Sequence, residues 1–167
     1  IGHLKRTATL ARAFQRAGMD VTVVSGGHDV PGLDLGGAKL IQLPPVRAAD
    51  KYFKILIDET DTEIDDAFRE NRRELLLAAY ADIAPDIVMT ELFPFGRRQL
   101  RLELTSLLDA AKTAARPPLI VSSVRDILVE PPKQERVVEM LHRIETYYDR
   151  VLIHGDPTLI PFDETFA

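Results

Sequence analysis

The sequence predicts an α/β domain with a mostly parallel sheet and helices on both faces, and three observations predict it. Short aliphatic or β-branched runs at 21–25, 39–43, 87–90, 119–123 and 151–153 show no polar alternation, as strands buried on both faces do not. Most are separated by amphipathic stretches of ten or more residues, the length that a parallel crossover needs. Turn formers and prolines close nearly every segment, as at Gly18, Pro44-Pro45, Pro85 and Pro117-Pro118.

The first segment reads as a helix whose start is built for binding. Gly2 lets a ligand approach the backbone, and the first N–H groups point outward. His3 and Arg6, three residues apart, share one face of the first turn. Such an end suits an anion or a sugar hydroxyl. Leu10, Ala11 and Phe14 face inward, and Gly18 stands where a left-handed C′ residue belongs. A strand at 21–25 follows at once. Helix, turn and strand make the second half of a βαβ crossover, whose first strand is expected before Ile1.

Residues 25–37 are dense in glycine and other turn formers and predict a loop, and the strand at 39–43 stops at Pro44-Pro45. Residues 46–61 lack a period and read as a mobile surface loop with Tyr52, Phe53, Ile55, Leu56 and Ile57 as partial anchors. Thr60-Asp61-Thr62-Glu63 offers a capping box for the longest helix, with Ile64, Phe68, Leu75, Leu76, Ala79 and Ile83 inward until Pro85. The strand at 87–90 leads into a turn at 91–96. The next helix sets Leu100, Leu104, Leu107, Leu108 and Ala111 inward and Arg97, Arg101 and Glu103 on its polar face. After the strand at 119–123, a helix over 133–148 buries Val137, Leu141, Ile144 and Tyr148. The strand at 151–153 then meets His154-Gly155-Asp156-Pro157.

Composition bounds the function. A chain of 167 residues, 46% hydrophobic and 28% charged, fits one soluble domain with a sizeable core. A net charge of -5 argues against nonspecific nucleic-acid binding. The absence of cysteine excludes disulfides, thiolate zinc sites and cysteine nucleophiles. Apolar runs are far shorter than a membrane span, and no signal-peptide pattern opens the sequence.

Ligands of open parallel sheets bind outside the carboxyl ends of the strands. Here Gly26, Gly27 and His28 follow the first strand, Glu91 the third, Arg125 and Asp126 the fourth, and His154 and Asp156 the last. Each has a plain structural reading. Glu91 could be a helix-entry carboxylate, Arg125 and Asp126 a turn pair, Arg97-Arg98 a solvated helix start, and His28 and His154 loop residues. Their recurrence at one sheet edge is the informative fact. No G-x-G-x-x-G, G-x-x-x-x-G-K-[ST], H-E-x-x-H or G-x-S-x-G is present, and histidines 3, 28, 142 and 154 lack metal-ligand spacing.

Taken in order, several segments resemble the N-terminal domain of GT-B glycosyltransferases, in particular a bacterial predicted group similar to the N-acetylglucosaminyltransferase that forms lipid II. They are Gly2-His3 with Arg6, Val21-Thr22-Val23-Val24-Ser25-Gly26-Gly27, Leu43-Pro44-Pro45-Val46-Arg47, Glu91-Leu92-Phe93-Pro94-Phe95-Gly96-Arg97-Arg98, Ser123-Val124-Arg125-Asp126-Ile127 and Val151-Leu152-Ile153-His154-Gly155-Asp156-Pro157. The resemblance implies a Rossmann-like acceptor-side domain over 1–167, with its first strand before Ile1 and a donor domain after Ala167. It implies transfer from a nucleoside diphosphate sugar to an acceptor hydroxyl, lipid- or glycan-linked, with no cofactor, metal or nucleic acid. The location it implies is cytoplasmic, with peripheral contact at the inner membrane face. His3 matches the family's loop histidine and would orient or deprotonate the acceptor hydroxyl, with Glu91 the competing base. Gly2, Arg6, Gly26, Gly27, Arg97, Arg98, Arg125, Asp126, His154 and Asp156 would bind substrate, the arginines pairing with phosphate or carboxylate. Tyr52, Phe53 and Lys54 would meet the acceptor. Two alternatives stand beside transfer: a nucleotide-sugar 2-epimerase, and a non-catalytic sugar- or nucleotide-binding module.

Overall fold

A computed structural model describes residues 2–50, 54–126, 128 and 133–155; Tyr52, Phe53 and Asp156 lie outside the described residues. The chain is mixed α/β with short parallel sheets and four α-helices among those residues. It gathers into two compact units, Ile1–Asp82 and Ile83–Ala167.

The first unit opens with α1 (Gly2–Arg16), β1 (Thr22–Ser25) and β2 (Lys39–Gln42). Helix α1 ends in a Schellman turn. Gly18 takes φ 84°, its N–H donates to Gln15 O at 2.9 Å, and the Met19 N–H donates to Phe14 O at 3.1 Å. Ala8 and Ala11 are the buried residues of α1, and they join Val23 and Leu35 in a small core flanked by Val21, Leu33 and Ala38. Small side chains bring this helix close to its neighbours, while Leu10 and Phe14 are half-buried. Strand β1 runs parallel to β2, from Thr22 opposite Lys39 to Ser25 opposite Gln42.

The stretch 46–61 departs from the expected loop. Strands β3 (Arg47–Ala48) and β4 (Leu56–Ile57) pair antiparallel, and Val46, Leu56 and Ile57 are buried, whereas Ile55 is exposed. A turn centred on Asp58 closes the segment. Its Oδ1 accepts from the Thr60 N–H and hydroxyl, both at 2.8 Å, and from the Thr62 N–H at 3.1 Å. The Thr60 hydroxyl bond, then the others, hold the Asp58 carboxyl below its ordinary range. Thr60 and Thr62 are therefore engaged in this turn and do not cap the helix. The cap is Asp65, whose Oδ1 accepts the Phe68 N–H at 2.8 Å, and α2 runs Asp66–Ile83. Leu75 is exposed, and Arg72 lies on the inner face beside Leu76.

The second unit contains β5 (Ile87–Glu91), a 3-10 turn (Arg98–Leu100), α3 (Arg101–Thr113), β6 (Leu119–Arg125), α4 (Gln134–Tyr147) and β7 (Arg150–His154). Its three strands form one parallel sheet in the order β5-β6-β7. Strand β6 is buried from Ile120 to Val124, as its unbroken apolar run predicts for a central strand. Leu107, Leu108 and Ala111 of α3 and Met140 of α4 are buried with it. Two expectations for the helices change. Glu103, expected on the polar face, is buried, and Leu141, expected inward, is 48% exposed beside Val138 at 58%.

All five expected strands exist, but not in one ladder. Among the described residues β1 pairs with β2, and β5, β6 and β7 pair with one another, while an antiparallel hairpin stands between the two groups in sequence. Apolar runs report burial and extension; they carry no information on which edge finds which partner. They overstate burial too, since Leu40, Leu152 and Ile153 are exposed.

Candidate functional site

The carboxyl edge of the β5-β6-β7 sheet is where the second unit concentrates its chemistry. Register does this directly: Glu91 stands opposite Ser123 and Arg125 opposite His154. Glu91, Arg125 and His154 are each the last residue of a strand, whereas the sequence reading places all three just past the strand ends.

Ser123 joins them. It is 1% exposed, and its Oγ donates to Glu91 Oε2 at 2.9 Å and lies 3.0 Å from His154 Nε2. A serine hydroxyl has one proton. With that proton directed at the carboxylate, the imidazole Nε2–H donates to Ser123 Oγ. The chain of donors runs from His154 through Ser123 to Glu91. Beyond His154, Gly155 is fixed by contact: a Cβ there would lie 2.3 Å from the Asp126 Cβ and 2.4 Å from its Oδ2. The Asp126 N–H also donates to His154 O at 3.3 Å.

The loop after β5 is pinned from below. Phe93 is 2% exposed, and its carbonyl accepts from Thr90 Oγ1 at 3.0 Å and Ser122 Oγ at 2.8 Å. With the Thr90 proton so used, Tyr148 Oη donates to Thr90 Oγ1 at 2.8 Å. Burial holds the Tyr148 phenol above its ordinary 10.0. The Leu92 N–H donates to Ser123 O at 2.8 Å. Leu92 and Arg97 take positive φ, 66° and 58°, a conformation that costs a non-glycine residue and recurs at binding sites. Arg97 is exposed as a whole, yet burial of its guanidinium lowers its pKa, and the Glu91 charge opposes that shift. Arg97 therefore lies within electrostatic reach of Glu91. Arg98 turns elsewhere and pairs with Glu139 of α4 at 3.3 Å, an ion pair completed by Arg143 at 2.9 Å. Arg143 also lies 5.9 Å from the Phe93 ring centroid. Burial alone would raise the Glu139 carboxyl, but the Arg143 hydrogen bond and the neighbouring charges hold it below its ordinary range. Arg98 is thus engaged by α4, and Arg97 stands nearer in charge to Glu91.

In the first unit, Arg6 Nη2 lies 3.2 Å from His3 Nδ1. A guanidinium only donates, so Nδ1 accepts and the ring proton is on Nε2. In this arrangement the Nε2–H of His3 is a donor, suited to an oxygen of phosphate or sugar. Gly2 is the exposed first residue of α1.

Gly26 and Gly27 have different reasons. The Arg72 side chain, 1% exposed, donates through Nη1 to Gly26 O at 3.2 Å and to Pro44 O. A Cβ on Gly26 would lie 2.6 Å from Arg72 Nη2, whereas nothing lies within 4 Å of one on Gly27. Gln42 Nε2 completes the fastening with bonds to Ser25 O at 3.1 Å, Gly27 O at 2.8 Å and Leu43 O at 2.9 Å. The glycine pair thus belongs to a loop whose carbonyls are held by Arg72 and Gln42. Gly26→Ala is expected to destabilise the protein by about 1–3 kcal/mol through overpacking against an immobilised side chain, and Gly27→Ala by under about 0.5 kcal/mol. Urea denaturation of the two variants checks this.

Ser123, Arg72 and Gln42 escape a reading by motif. Arg72 had a signal, since it sits four residues from both Phe68 and Leu76 on an apolar helix face. Ser123 had a weaker one, a polar pair ending a buried run one register step from Glu91. Among the described residues no cluster of three or more His, Asp or Glu could hold a metal ion. No helix among them is long and apolar enough to cross a membrane. Comparison with protein-family models, curated proteins and solved structures finds no match.

Proposed function

We propose that this chain is the acceptor-side, Rossmann-like domain of a glycosyltransferase that moves a sugar from a nucleoside diphosphate donor to a hydroxyl acceptor, with Glu91 as the base. The observation that carries the proposal is the Glu91 carboxylate at the carboxyl edge of a parallel sheet, oriented by the buried Ser123 hydroxyl. A general base needs one oxygen directed at the incoming hydroxyl and the other held. Ser123 holds Oε2.

The acceptor O–H proton passes to Glu91 as the acceptor oxygen bonds to the anomeric carbon. The bond from that carbon to the donor phosphate breaks, and the nucleoside diphosphate leaves with the electron pair. Arg125, exposed at the strand end, suits an anionic oxygen of either substrate. The α1 start of the first unit, with His3 as donor, offers a second group of donors for such oxygens. No cofactor takes part in this reading. A cytoplasmic protein with peripheral contact at the inner membrane face belongs to the same proposal.

The test is product analysis. The full natural chain is incubated with a panel of nucleoside diphosphate sugars, with and without alkyl glycoside acceptors. The expected result is acceptor-dependent release of nucleoside diphosphate together with a new glycoside. Donor returned as its 2-epimer without acceptor would replace transfer by epimerisation, and binding without turnover would leave a binding module.

A further inference from the structure

We infer that Ser123 is a positioning residue that couples Glu91 to His154: its hydroxyl holds the carboxylate and is itself held by the imidazole, so that a change of charge on one group is felt at the other. The inference rests on the proposed base role of Glu91 for its catalytic meaning, but the coupling itself does not.

A serine beside a histidine and a carboxylate invites a nucleophile reading first. The geometry removes it. Ser123 is 1% exposed, so no substrate carbon reaches its oxygen. Its proton is directed at Glu91 Oε2, and its oxygen lies between the carboxylate and the imidazole. A nucleophilic serine instead gives its proton to the histidine while its oxygen faces substrate. Ser123 is built into the sheet as a bridge.

In the arrangement shown His154 Nε2–H donates to Ser123 Oγ, and Ser123 O–H donates to the Glu91 carboxylate. The same two bonds serve the neutral imidazole and the imidazolium, because both carry the Nε2 proton. No proton has to move for the groups to be coupled: the carboxylate polarises the hydroxyl, and the hydroxyl oxygen in turn favours the charged imidazolium. Three charged groups border the unit: Arg97 lies within electrostatic reach of Glu91, Arg125 stands opposite His154 in register, and Asp126 packs on Gly155 after it.

The test reads the coupling without reference to transfer. In wild-type protein the ¹⁵N shifts of the His154 ring are followed against pH, alongside Ser123→Ala, Ser123→Thr and Glu91→Gln. Above its titration His154 is expected to be held as the Nε2–H tautomer. In Ser123→Ala and in Glu91→Gln its midpoint moves to lower pH, because the carboxylate no longer supports the imidazolium through the hydroxyl. Ser123→Thr keeps a hydroxyl and restores the wild-type midpoint. If the coupling serves catalysis, Ser123→Ala also lowers turnover roughly tenfold and moves the acid limb of the rate profile, with KM little changed. A His154 titration identical in wild type, Ser123→Ala and Glu91→Gln would overturn the inference. A coupled titration with no transfer activity in any variant would leave the coupling standing and sink the glycosyltransferase reading alone.

Discussion

Glu91→Gln is expected to lower transfer by roughly 10²–10⁴-fold, the range over which a positioned general base acts, while donor affinity stays unchanged. The substitution is nearly isosteric, and the amide oxygen can still accept the Ser123 proton, so the strand ends keep their geometry. What disappears is basicity and the negative charge that Arg97 feels. His3→Ala is expected to lose less turnover and more affinity for an anionic substrate, because the Arg6 guanidinium makes the imidazole a donor. Single-turnover kinetics and calorimetry with a nucleoside diphosphate sugar separate the two. A His3→Ala variant as slow as Glu91→Gln, with normal affinity, would transfer the base role to His3.

Arg72→Met is expected to cost about 2–4 kcal/mol of stability, the largest effect of any single change outside the apolar core. The guanidinium is 1% exposed and ties α2 to the loops after β1 and β2 through Gly26 O and Pro44 O. Methionine fills most of the volume but donates nothing, and buried carbonyls lose a charge-assisted bond. Gly26 O keeps its bond from the Val46 N–H, which limits the loss. Arg73 provides the control. Its pair with Glu70 is partly exposed and screened by solvent, so Arg73→Met should leave stability little changed. Urea unfolding of the two variants under one buffer decides it, and equal losses would contradict the role given to Arg72.

Much of this fold is legible in the sequence because local chemistry dictates it. Gly18 closes α1 as its missing Cβ allows, and the apolar run at 119–123 becomes a central strand buried between two partners. What the sequence conceals is non-local. Nothing in 46–61 marks a two-residue ladder, because Arg47 opposite Ile57 and Ala48 opposite Leu56 have no alternation long enough to read. Thr60 and Glu63 fit a capping box, yet Asp58 and Asp65 compete successfully for the N–H groups that decide the turn and the cap. The candidate site divides in the same way. Strand ends point to Glu91, Arg125 and His154, since a carboxyl edge follows from strand order alone. Which arginine lies within electrostatic reach of Glu91, and that Ser123 bridges it to His154, depends on a register and a loop conformation that no spacing encodes. Arg98, adjacent in sequence to Arg97, is drawn to Glu139 forty-one residues later.

The proposed reaction requires substrate to bind at the carboxyl edge of the β5-β6-β7 sheet. Chemical-shift mapping of the labelled full natural chain, titrated with a nucleoside diphosphate sugar and then with an alkyl glycoside, tests this most directly. The predicted result is that alkyl glycoside perturbs Glu91, Leu92, Arg97, Ser123, Arg125, His154 and Gly155, and that Glu91→Gln leaves the map in place while removing turnover. Saturable shifts confined to the exposed Val138 and Leu141 face of α4, with the strand ends silent, would contradict it.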